Sequence, residues 1–514
     1  MASLLKSTRL VGGMTMISRV FGMIRDIILA RLFGAGLGFD VFIVAFRIPN
    51  FLRRLFAEGG FSQAFVPVLS EYREKRSPEE VKALIDQTGA TLGLILFIIS
   101  ILGVIIAPLM ISVFAPGFIG ESDKFDLAAQ MLRITFPYIL FISLTAFAGA
   151  ILNTYRNFGV PAFTPVLLNL SLIACAIWVA PMFPEGQQII ALAWGVLIAG
   201  VIQLGFQIPF LLKLKLLPFP RFNRDKEGVS RILMLMLPTL FAASITQINL
   251  LIDTLIASFL QTGSISWLYY SDRMVELPLG VLGVALATVI LPNLSTEHAK
   301  GDDRSFSNIL VWAMGLVCLI AIPAAFGLAL LSGPILTTLF QYAEFTTNDV
   351  IMSSRSLIAY SIGLPGFILI KVFSSAFFSR QNTQTPVKIA AIAMVLNIVL
   401  NLLLVGIYQH AGLALASSLS AYINAGLLYM RLKQAGISVT LSPVLKIMSR
   451  VCIAVVFMSL FLVFLPPDNT IWFEWDVYTR VMQLAIWILA GASIYVFSLY
   501  LSGLRLKDVT TPRD

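Results

Sequence analysis

The chain has 514 residues and a formal net charge of +9, yet only 12% of its residues are charged and 58% are hydrophobic, with a mean hydropathy of +0.89. Soluble globular proteins carry roughly 25% charged residues. The composition therefore excludes a soluble enzyme or a nucleic-acid-binding domain and describes an all-α polytopic membrane protein. Hydrophobic runs predict about fourteen transmembrane helices, near 8–33, 40–71, 84–114, 127–155, 160–182, 188–214, 230–260, 265–296, 306–333, 351–380, 385–408, 411–434, 442–466 and 477–503. Connections alternate in charge. Arg73/Lys75/Arg76/Lys82, Lys213 through Arg231, Lys300/Arg304 and Arg431/Lys433/Lys446/Arg450 alternate with loops such as PGFIGESD and PPDNTIWFEWD. The positive-inside rule then places both termini in the cytoplasm. No cleavable signal is expected, because the N-terminus leads straight into an arginine-bearing span without an A-x-A-like site.

The first two spans are anomalous. The first carries Arg19, Arg25, Asp26 and Arg31; the second carries Asp40, Arg47, Arg53, Arg54 and Glu58, with Asn50 and Pro49 between them. At 100° per residue most of the second span's charge shares one face, and Val41, Val44, Ala45, Leu52 and Leu55 lie opposite. A charged residue at a helix centre costs roughly 3 kcal/mol, so four arginines facing lipid would cost on the order of 10 kcal/mol. A water-filled or anion-occupied cavity removes most of that cost. For Arg31 and Arg54, snorkelling to an interface is the alternative.

The chain is duplicated. Asp26 lines up with Asp253, Pro67 with Pro292, Pro161 with Pro386, Asn169 with Asn397 and Leu192 with Leu415, all between 223 and 228 residues apart. Each repeat holds six spans, so the halves run parallel through the membrane, with a substrate site expected between them near the midplane. The expected domains are a six-helix lobe over 1–215, a basic cytoplasmic linker over 216–229, a second six-helix lobe over 230–435, and two extra helices with a cytoplasmic tail over 436–514. In the second half the eighth span supplies Tyr269, Tyr270, Asp272, Arg273 and Glu276, the seventh supplies Asp253, and the tenth supplies Lys371. Buried-charge reasoning makes each a functional candidate; for Asp272 and Arg273 the alternative is structural neutralisation of neighbours.

Several chemistries are absent. There is no G-x-x-x-x-G-K-[ST] loop, no H-E-x-x-H and no G-x-S-x-G elbow. Three cysteines (Cys175, Cys318, Cys452) stand singly in apolar spans, and His298 and His410 lie far apart, which argues against a disulfide framework or a metal centre. Transport remains. Guanidinium groups pair with phosphate as a planar fork and stay charged at physiological pH. Arginine in excess over acid therefore suits a diphosphate-bearing or otherwise strongly anionic solute.

The runs MTMISRVFGMIRDIILARLFGAG, DVFIVAFRIPNFLRRLFAEGGFSQAFVPVLSEY, SWLYYSDRMVELPLGVLGVALATVILPNLS and SRQNTQTPVKIA resemble the MurJ (MviN) family, lipid II flippases of bacterial peptidoglycan synthesis similar in fold to the multidrug/oligosaccharidyl-lipid/polysaccharide exporters. The resemblance covers essentially the whole chain. It implies two lobes that rock to give alternating access, and a groove for the undecaprenyl tail on spans 13 and 14. It also implies cavity positions at Ser18, Arg19, Arg25, Asp40, Asn50, Arg53, Glu58, Asp272, Arg273 and Glu276. Coupling to the membrane potential or a monovalent cation is implied, with Asp253 and Asn382 as partial matches to a sodium site, near Phe378 and without a second acid. No cofactor, catalytic residue or nucleic acid is expected. Implied partners are lipid II, membrane lipids and peptidoglycan synthesis enzymes, for a monomer in the bacterial inner membrane. The rival readings are a flippase for another undecaprenyl-diphosphate oligosaccharide, such as an O-antigen unit, and a membrane enzyme acting on polyprenyl phosphate.

Overall fold

The computed structural model describes residues 2–54, 61–220, 227–437, 440–467 and 469–505, and among these every regular element is helical. Short polar signals set the helix ends where spans leave the apolar phase. Ser77 accepts from the Glu80 N–H while the Glu80 carboxylate accepts from the Ser77 N–H, a capping box. Thr346 and Asp349 repeat it. Asp302 and Asp476 cap their helices by accepting from Ser305 and Tyr478 N–H groups.

The chain divides into two compact units, Met1–Gly263 and Ser264–Asp514. Unit 1 contains α1 (Ala2–Phe33), α2 (Leu37–Arg53), α3 (Phe61–Lys75), α4 (Pro78–Ile105), α5 (Ala107–Phe114), α6 (Ser122–Thr135), α7 (Tyr138–Thr154), α8 (Gly159–Ala174), α9 (Ile190–Lys213) and α10 (Glu227–Ala257). Unit 2 contains α11 (Ser264–Pro278), α12 (Val284–Lys300), α13 (Asp303–Leu330), α14 (Ser332–Phe340), α15 (Thr347–Ser379), α16 (Gln384–Tyr408), α17 (His410–Gln434), α18 (Ser442–Phe464), α19 (Asn469–Glu474) and α20 (Val477–Leu501). Among the described residues eleven helices are long and apolar enough to cross a membrane. The expected first, second and seventh spans fall outside that set. The first carries Arg9, Arg19, Arg25, Asp26 and Arg31 within α1, residues 55–60 of the second lie outside the described residues, and of the seventh only Gln247–Ala257 counts, as a shorter apolar helix.

Neighbour pairs recur at repeat-related positions: α8 on α9 and α16 on α17, α7 on α9 and α15 on α17, α2 on α6 and α11 on α15. The first span breaks the pattern. α1 lies on α8, whereas its repeat mate α10 packs on α2, α3, α4 and α5 within unit 1. The sequence reading places the boundary between the repeats at the linker over 216–229, whereas the compact units divide after residue 263. Contacts at both ends of the linker explain this. The Phe219 N–H donates to Asp86 Oδ1 at 2.8 Å, and Lys82 pairs with Asp86 while sitting 5.3 Å from the Phe219 ring. On the far side, a Cβ at Gly228 would lie 2.5 Å from Leu84 and 2.9 Å from the Tyr72 hydroxyl, and Arg231 pairs with Glu71 at 2.9 Å. Both ends of the basic segment are thus tied to α3 and α4.

Candidate functional site

The charged groups of α1 and α2 find partners on several elements of unit 1. Arg25 is 6% exposed and Asp26 2%. The Arg25 Nε and Nη2 donate to Asp26 Oδ1 at 2.9 and 2.6 Å, and Nη1 donates to Asn169 Oδ1 at 3.0 Å. Asn169, on α8, donates through Nδ2 to the Ser18 carbonyl at 3.1 Å, so Ser18 enters the site through its backbone. Arg19 on the same helix is half-buried, and Arg31 is exposed.

On α2, Asp40 is buried and its Oδ2 accepts from the Gly263 N–H at 2.7 Å. It lies in the first turn, where a carboxylate also complements the helix dipole. Arg47 donates to the Thr254 hydroxyl, Arg53 Nε donates to Asn50 Oδ1 at 2.9 Å, and Arg54 donates to Gln247 Oε1 at 3.4 Å. Thirteen residues of helix put Asp40 about 20 Å from Arg53, too far for the two to pair. Glu58 lies outside the described residues. Asp253 is buried on α10.

The segment before α11 is docked on the rest of unit 1 at further points. Lys124, 1% exposed, donates to the Thr262 hydroxyl at 3.2 Å, lies 3.6 Å from Glu121 and 4.6 Å from the centre of the Phe118 ring. The Gly117 N–H donates to the Ser258 hydroxyl at 3.1 Å, and a Cβ at Gly117 would fall 2.1 Å from the Ser258 carbonyl oxygen. Only glycine permits that approach. Lys124 escaped the sequence reading because it follows a loop that reads as ordinary surface.

In unit 2, Tyr269, Arg273 and Glu276 form one stripe along α11. Arg273 Nη1 donates to Glu276 Oε2 at 2.8 Å, Nη2 donates to the Tyr269 hydroxyl at 3.3 Å, and the guanidinium carbon lies 5.0 Å from the Tyr269 ring centre. Their side chains are 33% and 44% exposed for Arg273 and Glu276, which leaves room for a ligand. Asp272 is half-buried. Tyr270, expected beside them, turns instead into the core against Phe340 and Phe345. Lys371 is exposed on α15. Asn382 is exposed and accepts from the Thr385 N–H at 3.1 Å, a cap at the start of α16, and it sits in a different unit from Asp253.

Two buried polar groups of unit 2 were not among the site residues expected from the sequence. Asn401 donates to Asn397 at 3.0 Å, and Asn397 lies 3.5 Å from the Ser417 hydroxyl, all between α16 and α17. Arg480, 6% exposed, donates to the carbonyls of Thr337, Gln341, Trp472 and Phe473. An i, i+4 asparagine pair in an apolar span is a legible signal for the first. Arg480 looks like one more interfacial arginine. Among the described residues no group of three or more His, Cys, Asp or Glu side chains could hold a metal ion.

The last two spans present mostly apolar surface. α18 and α20 share a core of Val451, Val455, Met458, Leu462, Tyr495 and Leu499. A cavity of about 360 Å³ opens between α13 and α18, lined by Ile322, Phe326, Cys452, Val456, Leu460 and Phe464.

Two helical units with membrane-length spans, and guanidinium groups inside them, define a multi-pass membrane protein of the transporter type. A solved multidrug resistance MATE family transporter of the MOP superfamily, in an inward-facing conformation, shares the fold, with a TM-score of 0.67 at 13% identity over 83% of this chain and 98% of that one. The chain belongs to the lipid II flippase MurJ family, whose description matches residues 29–485. It is 44% identical to the probable lipid II flippase MurJ of Vibrio cholerae, over 98% of this chain and 97% of that protein. A solved lipid II flippase MurJ in an inward closed conformation is 29% identical, with a TM-score of 0.79 over 96% of this chain and 99% of that one.

Proposed function

We propose that this chain is a lipid II flippase, carrying the undecaprenyl-diphosphate-linked peptidoglycan precursor from the cytoplasmic to the periplasmic leaflet of the bacterial inner membrane by alternating access. The family match over residues 29–485 carries the reading. The arginines supply its chemistry. Arg19, Arg25 and Arg53 in unit 1 bind the diphosphate as charge-assisted forks, and Arg273, half-open on α11, is a further anion-binding group. Ser18 and Asn50 assist them. Asp40, Glu58, Asp272, Glu276 and Lys371 are the gating charges of the same reading. The apolar surfaces of α18 and α20 suit the isoprenoid tail.

The finer assignments belong to the same proposal. Both termini are cytoplasmic, in keeping with the alternation of basic and Lys/Arg-poor loops along the chain. The protein is a non-enzymatic, cofactor-free monomer driven by the membrane potential or a monovalent cation, acting beside peptidoglycan synthesis enzymes. Asp253 and Asn382 are the ion-coupling candidates of the same reading; Asp253 is buried on α10, and Asn382 accepts from the Thr385 N–H. Depletion in the native bacterium, with lipid II assayed in each leaflet, tests the function. Inward-facing lipid II should accumulate while synthesis continues. Unchanged leaflet distribution would sink the reading, and chemical turnover of a lipid II analogue by purified protein would favour a membrane enzyme.

A further inference from the structure

We propose that Asn169 is a positioning residue for lipid II binding, acting by orienting the guanidinium of Arg25; the inference rests on Arg25 belonging to the diphosphate clamp. Ser18, Gly22 and Arg25 occupy one face of α1, at the i, i+4, i+7 spacing of a helical stripe. Asn169 reaches that face from α8 at two levels, accepting from Arg25 Nη1 at 3.0 Å and donating to the Ser18 carbonyl at 3.1 Å. A Cβ at Gly22 would lie 3.6 Å from Asn169 Nδ2, so the amide sits directly over the glycine.

The chemistry leaves one orientation for this amide. Arginine only donates and a backbone carbonyl only accepts, so the amide oxygen must face Arg25 and its nitrogen Ser18. The two bonds set the register of α8 on α1 and direct Arg25 in a single stroke. Asp26 alone would not do this. Side chains at i and i+1 diverge by 100° around a helix, and both Arg25 bonds to Asp26 converge on one oxygen, Oδ1. Asn169 engages the remaining terminal nitrogen and fixes the plane of the fork. Asn169 is 6% exposed, between Leu168 and Leu170 on α8.

The test is a double-mutant cycle on purified full-length protein, read as lipid II affinity, with thermal melting recorded for each variant. Arg25 is removed as Arg25→Ala with Asp26→Asn, which avoids a stranded buried carboxylate. Asn169→Ala should weaken lipid II binding about tenfold in the wild-type background, as expected for losing a hydrogen bond to a charged group. In the background lacking Arg25 it should have no further effect. Asn169→Ser, which keeps a shorter acceptor, should recover part of the affinity and serves if Asn169→Ala does not fold. Normal affinity in Asn169→Ala, or in Asn169→Ser where Asn169→Ala does not fold, overturns the proposal, as does an equal loss with and without Arg25, which would make Asn169 a packing residue. Normal affinity in the variant lacking Arg25 instead removes Arg25 from the clamp, and the inference with it.

Discussion

Arg25 and Arg480 are buried to the same extent, 6% exposed, in the two units of the molecule, and their surroundings differ in kind. Arg25 meets an acid and an amide, Asp26 and Asn169. Arg480 donates to backbone carbonyls alone, Thr337 and Gln341 at the end of α14 and Trp472 and Phe473 in the last turn of α19, with its guanidinium carbon 5.5 Å from the Tyr342 ring centre. The last carbonyls of a helix have no partner within it and carry the negative end of its dipole. Arg480 therefore caps two helix ends at once and joins α20 to them. A buried arginine in a membrane protein is a functional candidate by default. The difference teaches that the partners decide. Carbonyls of helix ends consume the donor fork permanently, whereas side-chain partners can exchange with a ligand oxygen.

The largest expected effect separates the two residues directly. Arg480→Ala strands four carbonyls in a buried site, at a cost on the order of 4 kcal/mol. The melting temperature in detergent and the amount of folded protein should both fall sharply, Arg480→Lys should recover little, and no second-site neutralisation should help. Melting within a degree or two of wild type would dissolve the contrast.

Arg25→Ala should cost about 3 kcal/mol, because Asp26 is left buried without this partner. Adding Asp26→Asn should return the protein level without returning lipid II transport. Recovery of transport along with the protein would give Arg25 the same structural role as Arg480.

Arg273 extends the comparison to a partly open site. Its pairing with Glu276 is too exposed to contribute more than about 1 kcal/mol of stability. Arg273→Ala should thus melt like wild type yet bind lipid II about tenfold less tightly. An equally well-folded variant with normal affinity would leave Arg273 outside the anion-binding set.

The smallest effect comes from a cap at the surface. The Ser305 backbone N–H, and then its hydroxyl, hold the Asp302 carboxyl below its ordinary range. A carboxylate with a lowered pKa stabilises the fold above its unfolded value near 4 and loses that contribution as the pH falls through the folded value. Wild type and Asp302→Asn should melt alike at pH 7 apart from a small constant. The difference should move in favour of asparagine below about pH 4, and a pH-independent difference would show that the carboxylate titrates alike in both states.

Much of the fold was legible because hydropathy and charge obey local rules. Membrane-length apolar runs, the alternation of basic and Lys/Arg-poor loops and the recurrence of Asp26 as Asp253 can all be read from the sequence. The charged helices were legible for the same reason: Arg25, Asp40 and Arg273 violate the apolar pattern around them. Their partners were not. Asn169 lies 144 residues from Arg25, and Gly263 lies 223 from Asp40, so no periodicity relates them. Lys124 and Arg480 sit near span ends, where a basic residue is ordinary, and only packing shows that each is buried.

What the sequence by itself determined is the class of the protein, the order of its spans and the helices that carry charge, since each follows from transfer free energies that depend on composition alone. Only the tertiary structure decided which charged side chains are buried against backbone carbonyls and which stay partly exposed, and which unit each helix joins. α10 is the repeat mate of α1, yet it packs on α2, α3, α4 and α5 within unit 1. The reason is physical: lipid tails are as apolar as the helices, so hydrophobicity does not select one helix neighbour over another. Close approach at residues such as Gly228, and polar contacts such as Arg231 with Glu71 and Arg47 with Thr254, make that choice.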